Sequence, residues 1–251
     1  MFANDGVWGY NTPMKRTIVA LGGGELKTKT TLQIDEYLAG LAKAHAGENR
    51  AYALFLPTAS HDSMPYFNSF RKIYTSVFDI KADVALTVYG EMDYEKIAGK
   101  IAKADLIYAG GGDTKYMIDT WREKGLLPLI LDAYQRGVPI AGLSAGAICW
   151  FTTMYTDYNI VRGESNEYDI LSGLGVLNGA VSPHYNLRKA EFDPIVQKNG
   201  YSPAYGVEDN AALVFENETL VGSLTAGGTA YSLTAENGKT HATPVPILKK
   251  I

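Results

Sequence analysis

The sequence has a single cysteine, Cys149, among its 251 residues. One thiol cannot form an intramolecular disulfide framework or a thiolate metal cluster. Basic residues are not in excess either: 23 Lys and Arg stand against 27 Asp and Glu, which argues against nucleic-acid binding through phosphates. No apolar run reaches transmembrane length, and the start lacks the basic and apolar regions of a secretory signal. These absences predict a cytoplasmic protein without a nucleic-acid or membrane partner.

What is present is the composition of an ordinary globular protein, with 46% hydrophobic and 20% charged residues. A chain of this length can bury a real core in one α/β domain. Residues 1–13 are rich in Gly, Asn and aromatic residues and show no periodicity. We therefore expect residues 1–13 to be a disordered extension and residues 14–251 to form one domain.

Strand and helix patterns alternate along most of the chain. Short β-rich runs, among them 17–21, 51–56, 84–89 and 104–109, each lead into a helical pattern or a glycine turn. This alternation predicts a mostly parallel sheet with helices on both faces, with the site at the carboxyl ends of the strands. Beyond residue 211 the pattern changes to short runs that predict antiparallel strands extending the same sheet, at 212–215, 219–223, 230–233 and 245–248.

The pentapeptide Gly142-Leu143-Ser144-Ala145-Gly146 has the G-x-S-x-G pattern. An apolar run precedes it and a run of small and then bulky apolar residues follows, so strand, turn and helix succeed one another. In this context the pattern is typical of a nucleophile elbow, in which a strained turn presents the serine hydroxyl. The alternative is a tight glycine turn with an incidental serine.

A serine hydroxyl needs a base, and the sequence offers four histidines. His184 follows an apolar run and Pro183, as expected for a base held at a strand end. His61 also lies on the predicted active edge and stays a candidate. His45 and His241 lie in segments predicted to be solvated.

The base needs an acid to fix its tautomer, and two acidic regions compete for this role. One lies between the serine and His184, as in the α/β-hydrolases, and the other follows His184 just before an apolar strand. The first comprises Asp157, Glu164, Glu167 and Asp169, and the second Glu208 and Asp209.

Acyl transfer also needs amide donors for the oxyanion. Ala145, directly after the serine, can supply one, and the glycine turn Gly110-Gly111-Gly112 can supply the other. A phosphate-binding turn is the alternative for these glycines, but no Gly-Lys-Ser/Thr follows them.

Three segments together resemble the peptidase E / cyanophycinase family of serine peptidases. They are Ala109–Thr114 with its Gly-Gly-Gly-Asp-Thr turn, the helix-strand-elbow unit that ends at Ala147, and Ser182-Pro183-His184-Tyr185. The resemblance implies a three-layer, flavodoxin-like α/β sandwich related to class I glutamine amidotransferases. It also implies metal-independent hydrolysis of peptide or isopeptide bonds, often next to aspartate.

The resemblance implies roles for individual residues as well. Ser144 is expected to be the nucleophile and His184 the base, with Asp209 preferred over Glu208 as the acid. Gly112 and Ala145 are the implied oxyanion donors. Separately from the resemblance, Asp113 and, by proximity in sequence, the cations Arg162, Arg188 and Lys189 are candidates for substrate contact, and the turn Gly22–Glu25 is a candidate for shaping the pocket.

No metal or cofactor is implied, the expected substrate is a small peptide, and a homodimer is one assembly open to the chain. Two other hypotheses stay open at this point. One is an amidase-, esterase- or amidotransferase-like enzyme on the same scaffold, and the other is a non-catalytic binding protein.

Overall fold

A computed structural model describes residues 14–90 and 92–248; the extension expected at residues 1–13 lies outside them. Helices alternate with strands through the first half of the chain, as the sequence patterns predict. The helices are α1 (Leu32–Ala46), α2 (Met64–Ser76), α3 (Tyr94–Ala102), α4 (Thr114–Glu123), α5 (Leu127–Gln135), α6 (Ala145–Ile148), α7 (Tyr158–Arg162) and α8 (Tyr185–Asn199). None of these helices is long and apolar enough to cross a membrane.

The first sheet has seven strands in the order β11-β10-β1-β5-β4-β2-β3. Five of them are parallel neighbours, and β10 and β11 continue the sheet in antiparallel fashion. Their bounds are β1 (Thr17–Leu21), β2 (Tyr52–Leu56), β3 (Lys81–Val84), β4 (Leu106–Ala109), β5 (Ile140–Leu143), β10 (Ala211–Glu216) and β11 (Thr219–Thr225).

Helices cover both faces of this sheet, because alternate strand residues point to opposite sides. Along β1, Ile18 packs with the core formed by α3 to α6, whereas Val19 packs with the core formed by α1 and α2. All five residues of β1 are buried. The predicted three-layer α/β class is thereby confirmed.

A second sheet of six strands, in the order β13-β12-β9-β8-β6-β7, is present as well. Its strands are β6 (Phe151–Thr156), β7 (Asp169–Ser172), β8 (Leu177–Ser182), β9 (Ala204–Val207), β12 (Ala230–Glu236) and β13 (Lys239–Pro244). One face packs on the first sheet, where Phe151 and Tyr205 contact Phe215 of β10 at ring-centroid distances of 5.6 and 5.8 Å. Helix α8 packs on the other face, which brings its start to the junction of the two sheets.

Three details of the sequence prediction are wrong. The tail strand at 230–233 belongs to the second sheet rather than to the first. The run at 245–248 forms only an isolated bridge between Ile247 and Ser223. The third strand, predicted at 84–89, instead spans Lys81–Val84. Its pairing with β2 ends at Val84, which lies opposite Phe55, so the rest of the predicted segment follows the strand.

A buried carboxyl lies in α1. Asp35 is fully buried; Thr31 Oγ1 donates to it at 2.7 Å and the Tyr74 hydroxyl donates at 3.2 Å. Burial is the main cause that raises the pKa of Asp35, to about 6, and these two hydrogen bonds oppose it.

The Asp35 contribution to stability is expected to fall as the pH rises from about 4 to about 6. Over this interval the folded state keeps the Asp35 proton while the unfolded chain, with a pKa of about 3.9, releases it. A difference of about two units corresponds to about 3 kcal/mol. Urea unfolding at pH 4.5 and 7 should therefore show a smaller loss of stability with pH for Asp35→Asn than for wild type. Equal losses would contradict this prediction.

Candidate active site

Ser144 occupies a sharp turn between the end of β5 and the start of α6. Its φ is 50° and its ψ −109°, a strained combination for a residue with a side chain. Glycine is required on both sides, because a Cβ on Gly142 would overlap the Gly146 carbonyl and one on Gly146 would overlap the Ala109 carbonyl. The G-x-S-x-G pattern thus has a steric reason, and the turn leaves Ser144 9% exposed at the edge of a cavity.

His184 lies immediately before α8, at the carboxyl end of β8. Its backbone N–H donates to Gly22 O at 3.0 Å, which ties the histidine turn to the turn after β1. The His184 Nε2 lies 2.9 Å from Ser144 Oγ. With the proton on Nδ1, Nε2 can accept the hydrogen bond of the serine hydroxyl.

Asp209 lies on the opposite side of the imidazole, in the turn before β10. Its Oδ1 is 2.6 Å from His184 Nδ1. Asn186 holds Asp209 in place: its side-chain Nδ2 donates to Asp209 Oδ2 at 3.2 Å, and its Oδ1 accepts from the Asp209 amide at 3.1 Å. The hydrogen bond with His184 lowers the pKa of Asp209, with partial burial opposing it.

Glu208, the neighbour of Asp209, points away from the imidazole. Its Oε2 accepts a hydrogen bond from the backbone N–H of Thr229 at 2.9 Å, beside β12. Of the two acids predicted after the histidine, the structure therefore places Asp209, and not Glu208, against His184.

Gly23 packs directly against this acid–base pair. A Cβ at this position would overlap Asp209 Oδ1 and would lie 2.5 Å from His184 Nδ1. The sequence interpretation considered the turn Gly22–Glu25 for shaping the pocket but missed this supporting contact. A glycine run at the carboxyl end of a buried strand is the signal that could have revealed it.

The two predicted oxyanion donors lie beside Ser144. Gly112 has a φ of 136°, and a Cβ there would overlap the Ala59 carbonyl, so this turn also requires glycine. Ala145 begins α6 directly after the serine. In the turns, loops and helix caps that the structure describes, neither the Gly112 amide nor the Ala145 amide donates a hydrogen bond to a backbone carbonyl.

An open cavity of about 450 Å³ extends from Ser144. Its wall includes residues that the sequence interpretation missed, notably Tyr66, whose hydroxyl accepts a hydrogen bond from the Gly111 amide at 3.3 Å. The cavity is lined by Gly24, Glu25, Lys27, Pro65, Tyr66, Ser69, Gly111, Gly112, Leu143, Ser144, Asp157, Val161 and His184.

The residues predicted to contact substrate are engaged with one another or with neighbours. Buried Asp113 accepts from Arg162 Nε at 2.6 Å and caps α4 through the Tyr116 amide. Arg188 is 4% exposed and its Nη2 donates to Asp157 at 2.7 Å. Among the described residues that line the cavity, Asp157 is present but Asp113, Arg162 and Arg188 are not.

The other candidate side chains lie elsewhere. His45 bonds Asp105 at 2.8 Å, His61 packs on the Tyr116 ring at 4.2 Å, and His241 is on β13. Cys149 is fully buried, and its burial raises the pKa of the thiol. Within residues 14–90 and 92–248, no group of three or more His, Cys, Asp or Glu is arranged to hold a metal ion.

Comparison with known proteins gives a consistent result. The family model of peptidase family S51 matches residues 18–222. The chain is 29% identical to the uncharacterized peptidase YgaJ of Bacillus subtilis over 239 residues, which cover 93% of this chain and 98% of that protein. It is 34% identical to peptidase E of Salmonella arizonae over 85 residues, which cover 34% of this chain and 36% of that protein.

The fold is also shared with a solved structure. A crystal structure of a peptidase from an acI-B1 Actinobacterium superposes with a TM-score of 0.70, covering 95% of this chain and 97% of that one at 20% identity. This likeness concerns the fold, whereas the family model spans the segments that carry the elbow, the histidine turn and the acidic turn. The chain belongs to peptidase family S51 and is a serine-type peptidase.

Proposed function

We propose that this peptidase hydrolyses its substrate through an acyl-enzyme on Ser144, with His184 as general base and Asp209 as the supporting acid. The observation that carries the proposal is the continuous hydrogen-bonded chain from Ser144 Oγ through the imidazole to the Asp209 carboxylate, with distances of 2.9 and 2.6 Å. Such a chain activates a hydroxyl that is otherwise a poor nucleophile.

In the acylation step, His184 Nε2 takes the proton of Ser144 Oγ as the oxygen attacks the carbonyl carbon of the scissile bond. The negative charge on the carbonyl oxygen is stabilised by the amides of Gly112 and Ala145. The tetrahedral intermediate then expels the amine, which receives the proton from His184. Asp209 stabilises the imidazolium and holds its Nδ1 proton in place.

In the deacylation step, His184 takes a proton from water as its oxygen attacks the acyl carbon. Collapse of the second tetrahedral intermediate returns the proton to Ser144 Oγ and releases the acid. The cavity beside Ser144 is open, which leaves room for this water.

A preference for aspartyl substrates, implied by the resemblance to peptidase E, remains a finer prediction. Arg162 and Arg188, the cations predicted for that role, are already paired with Asp113 and Asp157. Arg188 pairs through Nη2 only, and its buried Nη1 has no hydrogen-bond partner among the described residues. Neither arginine lines the cavity beside Ser144, so their positions do not favour this preference.

The position of Cys149 bears on the amidotransferase alternative. An amidotransferase-type elbow carries a cysteine nucleophile, but the Cys149 thiol is buried and its Sγ donates to Gly146 O at 3.4 Å. Burial disfavours the reactive thiolate. A serine mechanism is therefore the better supported of the two.

Labelling with a fluorophosphonate, followed by mapping of the adduct by mass spectrometry, tests the proposal. We expect the adduct on Ser144 and peptide hydrolysis lost in proportion to labelling. The Cys149→Ala variant should react at the wild-type rate, and iodoacetamide should leave the native thiol unmodified because it is buried. An adduct on another residue, or loss of turnover in Cys149→Ala with its fold intact, would contradict the serine mechanism.

A further inference from the structure

The cavity beside Ser144 contains one cation that no carboxylate neutralises among the described residues. Lys27 lines the cavity, and no Asp or Glu oxygen of residues 14–90 and 92–248 lies within 4.0 Å of its ammonium group. Arg162 and Arg188 are paired, and Lys189 lies over the Tyr185 ring at 5.6 Å. Lys27 is thus the cationic side chain available to an anion bound next to Ser144.

The location of Lys27 relative to His184 decides which part of a substrate it can reach. In the proposed mechanism His184 gives its proton to the leaving amine, so the leaving residue must lie next to the imidazole. The turn after β1 touches His184 through Gly22 O and Gly23, and its continuation carries Lys27 into the cavity wall. The β1–α1 loop therefore lines the leaving-group side.

The loop that carries Lys27 is held in place by its own hydrogen bonds. The Glu25 amide donates to Thr30 Oγ1 at 2.9 Å, and the Thr30 amide donates to Glu25 O at 3.1 Å. Leu26, 1% exposed, anchors the loop in the core. The backbone of Lys27 is thus fixed, while its four-carbon stem lets the ammonium reach a ligand in the cavity.

Resting on the function proposed above, we propose that Lys27 binds the terminal carboxylate of the leaving residue. Preferred substrates would then be short peptides with one residue beyond the scissile bond. A charge-assisted hydrogen bond between ammonium and carboxylate supplies the recognition. Glu25 also lines the cavity, but one of its oxygens is held by the Lys27 amide at 3.1 Å, which directs that oxygen back to the loop.

The test compares Ala-Leu and Asp-Leu dipeptides with their C-terminal amides, which lack the carboxylate charge. Wild type should hydrolyse the free acids with a kcat/KM about tenfold higher than the amides, mainly through a lower KM. Lys27→Met, which keeps a long unbranched side chain, should bring the ratio close to one by slowing only the free acids. Lys29→Met, an exposed lysine of the same loop, is the matched control and should keep the wild-type ratio.

Two results would overturn the assignment. One is a free-acid to amide ratio of kcat/KM that stays at the wild-type value in Lys27→Met. The other is a loss of kcat/KM in that variant that is equal for free acid and amide, which indicates a merely structural role. A binding measurement separates this proposal from the proposed mechanism. Calorimetric titration of Ala-Leu into Ser144→Ala and into Ser144→Ala/Lys27→Met needs no turnover, and the double variant should bind about tenfold more weakly. Equal affinities would reject the role of Lys27 even if Ser144 were the nucleophile.

Discussion

Replacing Ser144 with alanine is expected to lower the kcat/KM of peptide hydrolysis by about 10⁴-fold to 10⁶-fold. The substitution removes the oxygen that attacks the scissile carbonyl, while the Cβ and the strained turn stay as they are. Binding in the cavity and the two amide donors remain, so only a small residual rate is expected. Steady-state assays on a dipeptide panel with the purified variant measure the loss.

The fold of the Ser144→Ala variant should survive. Among the residues that the structure describes, the hydroxyl makes one hydrogen bond, to His184 Nε2, and a bond of this kind contributes about 1 kcal/mol. For a chain of this size, that corresponds to a shift of about 2–4 °C in Tm. A much larger shift would mean that lost activity reports unfolding, and the kinetic result would then say nothing about the nucleophile.

His184→Ala provides the second half of the experiment. Since the two residues act as a unit, the double variant Ser144→Ala/His184→Ala should be no slower than Ser144→Ala alone. Near-wild-type turnover in either single variant, in samples free of other peptidases, would reject the proposed mechanism. Additive losses in the double variant would indicate that the two side chains act in separate steps.

The elbow and the first sheet could be predicted from the sequence because their signals are local. Gly142 and Gly146 flank Ser144 because neighbouring backbone lies too close to leave room for a Cβ. Strands β1, β4 and β5 each end in a turn of small residues. Neighbouring parallel strands then bring those turns together at one edge. The order β1-β5-β4 within the sheet places the turn after β1, the elbow and the Gly110–Gly112 turn side by side.

The second sheet could not be predicted in the same way, because sheet membership depends on distant pairing. Strand β12 has the short alternating pattern of any antiparallel strand, and only its pairing with β9 assigns it to the second sheet. The segment between Thr156 and Asp169 is polar and suggests a loop, yet it contains α7 and leads into β7. Local patterns there indicate strands without indicating their partners.

For charged residues near the site, too, the sequence does not reveal the spatial partner. A sequence indicates where a cation stands along the chain but not whether a carboxylate already neutralises it. Arg162 and Arg188 lie closer in sequence to the elbow and the histidine than Lys27 does, yet both are paired. Lys27 reaches the cavity because β1 is a spatial neighbour of β5, a consequence of strand order.

Asp209→Asn is expected to lower kcat by about 10⁴-fold, the size of effect that follows when an amide replaces the acid of such a triad. An asparagine can present an N–H to the imidazole and so favour the tautomer in which Nε2 carries the proton. That tautomer cannot accept the proton of Ser144. Glu208→Gln is the matched control, because the neighbouring carboxylate bonds the Thr229 amide and not His184; its kcat should stay within a few-fold of wild type.

The pH dependence of kcat gives a further test of the role of Asp209. The pKa of Asp209 is lowered in the folded protein, chiefly by its hydrogen bond with His184. A lowered pKa means that the stabilising contact is complete above the unfolded value of about 3.9 and is lost only as the pH falls through the lower folded value. Titration of Asp209 should therefore not shape the kcat profile between pH 5 and 9, and Asp209→Asn should be slow across that whole range.

An Asp209→Asn variant that regained the wild-type rate at pH 9 would reject Asp209 as the acid behind His184. A collapse of kcat in Glu208→Gln with Asp209→Asn active would transfer that role to Glu208, which requires the turn before β10 to rotate. Against this rotation stand the two hydrogen bonds between Asn186 and Asp209 and the close contact of Gly23 with the carboxylate. Since these groups hold the Asp209 carboxylate against His184, whereas the Glu208 carboxylate accepts from the Thr229 amide, the two substitutions should differ by orders of magnitude although the residues are adjacent.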